Sequence, residues 1–167
     1  PDEGNVIIGK ESVLVKGEDR LTERLGNFRL DYDGTSFFQA NPGQAEQLFA
    51  YAASLVEGQN LLELYCGVGA LTAFLSRKAK TVTAVEVWPS AVALARENGE
   101  FNRIEGLTVV QGAAENVVAP ADLEGIGCVV VDPPRAGCDK SLLETIAASR
   151  VPRVLYISCN PATLARD

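Results

Sequence analysis

From Leu61 onward, short apolar runs alternate with longer stretches in which apolar residues return every three or four positions. The runs predict strands over 61–65, 81–86, 107–111, 128–132 and 153–158, and the longer stretches predict helices over 70–78, 89–102 and 139–149. Strands separated by helices of this length imply an α/β fold with a parallel sheet covered on both faces. Upstream, Asn41 suits a helix N-cap, Pro42 the first helical position and Gly58 the helix end, while Leu48, Phe49, Ala52, Leu55 and Val56 supply an apolar face. Before that helix the runs are short and β-like: Asn5–Ile8, Ser12–Lys16, Leu21–Leu25 and Phe28–Tyr32. In the last of these, Phe28, Leu30 and Tyr32 share one face, as in a half-exposed strand. The expected organisation is a small antiparallel β attachment over 1–36 and a main domain over 37–167.

Composition narrows the chemistry more than the fold. The 167 residues, 47% apolar and 22% charged, suit an ordinary globular domain. No apolar run is long enough to span a bilayer and Pro1-Asp-Glu-Gly-Asn5 resembles no signal peptide, so a cytoplasmic location without membrane partners is expected. The four cysteines, Cys66, Cys128, Cys138 and Cys159, form no C-x-x-C pair, and the chain has no histidine. No metal is expected, and neither is a Ser-His-Asp or Cys-His hydrolase built from this chain. The net charge of −7 matters later, because an acidic chain is not steered to nucleic acid by its overall field.

Four places carry candidate chemistry. Tyr156-Ile-Ser-Cys159-Asn-Pro161 reads as a strand end, a turn bearing a thiol and a helix start. Such turns lie at the carboxyl ends of strands, where α/β sheets bind ligands, and the positive end of a helix favours a thiolate. Leu61-Leu-Glu-Leu-Tyr-Cys-Gly67-Val-Gly69 is a strand followed by a Gly-x-Gly turn, with Gly67 and Gly69 allowing close backbone approach; Thr72 stands where a dinucleotide fingerprint has its third glycine. Glu86 ends the next strand, placed to accept hydrogen bonds from ribose hydroxyls, so the pair predicts an adenosine-containing cofactor. Val129-Val-Val-Asp132-Pro-Pro-Arg135-Ala-Gly137 puts a carboxylate on a proline-stiffened strand exit, with Arg135 available to orient a base or a phosphate.

Taken together, F-F-Q-A-N-P-G-Q, D-P-P-R-A-G and S-C-N-P-A-T-L-A-R-D resemble the S-adenosylmethionine-dependent RNA 5-methyluridine methyltransferases, with matching segments from Phe37 to Asp167. The resemblance implies a class I methyltransferase (Rossmann-like) fold and methylation of carbon 5 of a uridine in tRNA or rRNA. It makes Cys159 the nucleophile and Gln39, Tyr65, Glu86 and Asp132 contacts of S-adenosylmethionine, with Gly67 and Gly69 forming the turn beneath it. Ala70 stands where many members have asparagine. The family's proton acceptor is a glutamate beyond the S-C-N-P block, and its usual OB-like RNA-binding domain precedes the core. The chain is therefore expected to be a core fragment lacking its C-terminal strands, its proton acceptor and its RNA-binding domain, possessing an exposed apolar edge at strand 153–158, and able to be inactive alone.

Rival readings use fewer of these residues. Cytosine-5 methyltransferases place their cysteine directly after a proline, whereas Asp132-Pro-Pro leads to Arg135 and Cys138 follows as a loop thiol. Amino-group methyltransferases follow D-P-P with an aromatic residue and use no covalent cysteine. A NAD-dependent oxidoreductase accounts for Gly67, Gly69 and Glu86 but leaves Asp132, Arg135 and Cys159 idle. Cys66 and Cys128 are expected to pack at or within strands.

Overall fold

In the computed structural model, residues 13–167 are described, and they build two sheets. β1 (Arg20–Leu25) and β2 (Phe28–Asp33) form an antiparallel hairpin. β3 (Asn60–Leu64), β4 (Thr81–Glu86), β5 (Leu107–Gln111), β6 (Cys128–Val131) and β7 (Val154–Tyr156) form a parallel sheet in the order β5-β4-β3-β6-β7. The helices are α1 (Pro42–Ser54), α2 (Ala70–Ser76), α3 (Pro89–Phe101), α4 (Ala114–Val117), α5 (Lys140–Ala148) and α6 (Pro161–Arg166).

Both sheet faces are apolar, as the unbroken apolar runs require. One face gives Leu61, Val82, Ala84, Cys128 and Val130 to a core with Phe49 of α1 and Leu71, Phe74 and Leu75 of α2. Leu25, Phe28 and Leu30 of the hairpin enter the same core. The other face gives Leu62, Leu64, Val85, Val129 and Val131, packed on Leu142 and Ile146 of α5 and on Ala114. Each fully buried leucine of this kind contributes about 1.5–3 kcal/mol through burial. Two asparagines one turn apart on α3 dock the hairpin. Asn102 Oδ1 accepts from Arg29 N and its Nδ2 donates to Arg29 O, while Asn98 does the same for Asp31 N and O. Their amides thus substitute for a neighbouring strand along β2.

Several predicted boundaries move. Asn41 caps α1 as expected, its Oδ1 accepting from Gln44 N at 3.1 Å, but the helix ends at Ser54 and not at Gly58. Leu55 and Val56 turn their N–H groups to the carbonyls three residues back, tightening the last turn. The strand expected over 153–158 is Val154–Tyr156; Ile157 N still donates to Val131 O at 2.8 Å, and from Ser158 the backbone serves the following turn. The run Asn5–Ile8 lies outside the described residues. Val13, Leu14 and Val15 form no strand and stand exposed, because a strand needs a paired neighbour and none of the described residues supplies one. α4 and a 3₁₀ turn over Pro120–Leu123 were not predicted; they are too short to show a period.

Candidate active site

The chain runs from β3 outward through β4 to β5, then returns to lay β6 and β7 on the other side. The direction reverses between β3 and β6, and at such a reversal the loops leaving the strands part to form a crevice at their carboxyl ends. Residues after β3, β4, β6 and β7 meet there.

After β3 the backbone enters the left-handed region at Tyr65 (φ 65°), Gly67 (φ 55°) and Gly69 (φ 83°). For Tyr65 this conformation costs on the order of 1–3 kcal/mol, and the packing of its ring against the α5 face of the core holds it. Gly69 begins α2 and sits against the backbone of α3, where an added Cβ would lie 3.5 Å from Ala95 Cα. Glu86, at the end of β4, ties this turn to the start of α3. Its Oε2 accepts from Gly67 N at 2.9 Å, and its Oε1 from Val87 N at 2.8 Å and Trp88 N at 3.0 Å. The carboxylate is buried, while Trp88 beside it is 70% exposed.

Two further carboxyl groups face the same side of the sheet, one from β3 and one from the end of β6. Glu63 is 1% exposed, and neither of its oxygens has a hydrogen-bond partner among the described residues. The hydroxyl of Thr72, in the first turns of α2, is buried and likewise unpartnered. Burial pushes the Glu63 carboxyl up to about 8; the neighbouring Thr72 opposes this and the charge of Asp132 adds to it. Asp132 is itself pushed up to about 6 by burial. A cationic ligand at the crevice would favour the ionised form of Asp132 and offset part of this burial cost.

The remaining predicted residues lie on the rim. Cys159 is exposed at the end of β7, between Ser158 and the N-cap Asn160, whose Oδ1 accepts from Ala162 N at 3.1 Å. Ser158 Oγ accepts from Asn160 N at 3.1 Å and shapes the bend that projects the cysteine. Arg135 is exposed, and its carbonyl accepts from Thr163 Oγ1 at 3.0 Å. Gln39 lies in the loop between β2 and α1 and lines a cavity of about 380 Å³ with Tyr32, Asp33 and Phe38. Phe38 stacks on Tyr32 at 4.5 Å and packs with it against Val68, so the Gln39 loop is anchored to the glycine turn. A larger concavity of about 600 Å³ lies at the amino ends of β6 and β7, lined by Leu123, Ile126 and Arg150, and none of the predicted residues faces it.

Cys128 packs within β6 and Cys66 just past the end of β3, both buried, as expected. Cys138 is no ordinary loop thiol. It is buried, with Sγ 3.9 Å from the hydroxyl of Tyr156. Residues overlooked in the sequence are Glu63, Thr72, Asn98, Tyr156, Arg166 and Asp167. Glu63 alone carried a signal, a charge inside the apolar run of β3.

A family model described as tRNA (uracil-5-)-methyltransferase matches residues 7–167. An RNA methyltransferase of Clostridium tetani is 41% identical over 98% of this chain and 36% of its own length. One of Halalkalibacterium halodurans is 38% identical over 100% of the chain and 38% of its own. The chain thus spans little more than a third of the curated relatives it matches. Among solved structures, the Pyrococcus abyssi tRNA (uracil-54, C5)-methyltransferase in complex with S-adenosyl-L-homocysteine superposes with a TM-score of 0.81 at 32% identity, over 91% of this chain and 38% of that one. The tRNA m1G37 methyltransferase of M. jannaschii gives 0.64 at 15% identity, over 84% and 43%, a likeness of fold alone. The architecture is that of the class I methyltransferases.

Proposed function

The chain belongs to the tRNA (uracil-5-)-methyltransferase family, and from that premise we propose that it is the cofactor-binding, nucleophile-bearing core of an S-adenosylmethionine-dependent enzyme that methylates carbon 5 of a uridine in tRNA or rRNA. The observation that carries this reading is the meeting of the glycine turn, Glu86, Asp132 and Cys159 at the carboxyl ends of adjacent strands.

The residues present fit the cofactor. Gly67 and Gly69 leave a cradle without side chains, and Glu86 ends β4 where ribose hydroxyls are met in sheets of this type. Asp132, half-buried at the end of β6, suits a ligand carrying positive charge, which would favour its ionised form. Tyr65 and Gln39 complete the set of residues that would hold it. When bound, S-adenosylmethionine supplies an electrophilic methyl group on a sulfonium.

The protein's part is to make carbon 5 of uracil nucleophilic. The Cys159 thiolate adds to carbon 6, and the electron pair of the 5,6 double bond moves to carbon 5 and the 4-carbonyl oxygen as an enolate. Arg135, on the facing loop, would stabilise the developing negative charge. After carbon 5 is methylated, a base takes its proton (by the family resemblance, a glutamate of the whole protein beyond Cys159), and the electron pair of that C–H bond restores the double bond and expels the Cys159 thiolate. The target base must leave its stack to reach the thiol. Because the chain is acidic, phosphate contacts would come from a basic patch or from a further RNA-binding domain of the whole protein. No helix among the described residues is long and apolar enough to cross a membrane, and a cytoplasmic RNA enzyme is the setting we infer.

Calorimetric titration with S-adenosylhomocysteine, with NAD as the control, tests the cofactor. Micromolar binding of the first alone is expected, and binding of NAD instead would overturn the reading.

A further inference from the structure

Cys159 and Arg135 leave the sheet on different strands, so something must fix the gap between them. Four side chains that the reaction does not consume close it. Thr163 Oγ1 donates to Arg135 O at 3.0 Å, and Arg166 Nη2 donates to Ala136 O at 2.7 Å. Asp167 Oδ2 accepts from Cys138 N at 2.9 Å and from the Tyr156 hydroxyl at 2.6 Å. Its other oxygen accepts from Arg166 Nε at 2.9 Å, and its own N–H donates to Thr163 O at 3.0 Å. The side chain of Asp167 is 1% exposed. The loop fits so closely that a Cβ on Gly137 (φ 87°) would strike Asp167, Arg166 and Thr163 well inside van der Waals contact. One carboxylate thus joins the strand before the cysteine, the helix after it and the loop that carries Arg135. The Tyr156 hydroxyl, the Cys138 N–H and Arg166 together hold this carboxyl down to about 2, so it stays charged at every working pH.

We propose that Tyr156, Arg166 and Asp167 are positioning residues that clamp α6 to the 135–138 loop and so set the separation between Cys159 and Arg135 across which the uracil ring must fit. The proposal rests on the uracil-5 reading above. Near-attack placement at carbon 6 leaves little tolerance, and a misplacement of about 1 Å can cost around 100-fold in rate. No hydrogen bond among the described residues joins any of the three to the glycine turn or to Glu86, which hold each other.

The test uses the full-length protein, S-adenosylmethionine, and tRNA and rRNA transcripts carrying 5-fluorouridine, which trap the Cys159 adduct. For Asp167→Asn, the rate of adduct formation at saturating RNA is expected to fall roughly 10- to 100-fold. S-adenosylhomocysteine affinity and the alkylation rate of Cys159 by iodoacetamide should stay near wild type, while the melting temperature falls because the buried donors lose a charged acceptor. Tyr156→Phe, which removes one hydroxyl and keeps the ring, should show the same split more mildly. Wild-type adduct rates in both variants would overturn the clamp. So would a loss of cofactor affinity in step with the adduct rate, which would make the network a general fold contact. If the wild type forms no adduct on either RNA, the uracil-5 reading itself fails and takes the proposal with it.

Discussion

The β3–β4 half of the crevice and the β6–β7 half solve opposite problems. Where β3 and β4 end, the backbone is held from within: Glu86 carries the N–H groups of Gly67, Val87 and Trp88, and its carboxylate is buried, with only Glu63 and Thr72 beneath the turn left unpartnered. Around β6 and β7 the groups that would do chemistry are presented outward. Cys159 and Arg135 are exposed; the carbonyl of Arg135 is held by Thr163, and the neighbours of Cys159 are held by the bond from Asn160 N to Ser158 Oγ. A preformed half suits a ligand that is the same at every turnover, and an open half suits a large substrate that arrives with its own shape. If that division holds, the two halves can be broken separately.

The largest separation is expected from Cys159→Ala. Adduct formation with 5-fluorouridine RNA should vanish while S-adenosylhomocysteine affinity remains at the wild-type value, because no cofactor-side hydrogen bond involves residue 159. A retained adduct would place the nucleophile elsewhere. Glu86→Ala should do the reverse. Three N–H groups lose a charged acceptor, each such bond being worth about 1.5–3 kcal/mol, so titration should show cofactor affinity at least ~100-fold weaker. Unchanged affinity would mean that the glycine turn keeps its shape without the carboxylate.

Between these extremes lies a pH effect. The Glu63 carboxyl is raised to about 8 in the folded chain, against 4.5 as its ordinary value. The folded chain therefore keeps a proton that the unfolded chain releases. The stability this confers is complete below pH ~4.5 and is lost as pH rises toward 8, at up to about 1.4 kcal/mol per unit. Asp132, raised to about 6, adds a slope of the same sign that ends earlier. Urea unfolding between pH 6.5 and 8 isolates Glu63: wild type should weaken with rising pH, and Glu63→Gln should stay nearly level. Parallel profiles would show that Glu63 is hydrated or paired.

Legibility in the sequence follows the same division. The parallel sheet was readable because buried strands leave unbroken apolar runs, as in Val129–Val131. The glycine turn and Glu86 were readable because backbone approach and strand ends impose residue types at short spacing. Cys159 and Asp132 stood out as chemistry-bearing residues at strand exits. What stayed hidden were partners distant in sequence. Asp167 meets Cys138 across 29 positions, and Asn98 meets Asp31 across 67. Neither contact leaves a local pattern. Glu63 was visible as a charge in an apolar strand, yet only the structure shows that its oxygens have no hydrogen-bond partner among the described residues.

The smallest effect asks whether the preformed half ends at the sheet. Asn98 donates to Val68 O at 2.9 Å while its amide also holds both backbone groups of Asp31, so one side chain joins the glycine turn to the hairpin. In Asn98→Ala the Asp31 groups can turn to water along a half-exposed edge, whereas Val68 O sits beside a residue buried at 4% and would be left without a donor. One buried orphan costs about 1–3 kcal/mol, and a denaturation midpoint shifted by about 2 kcal/mol is expected. If the hairpin only decorates the domain, cofactor affinity will not change with it. If the hairpin helps hold the turn, affinity will fall several-fold while the reactivity of Cys159 does not, and the boundary between the halves will run through β2 rather than along the sheet edge.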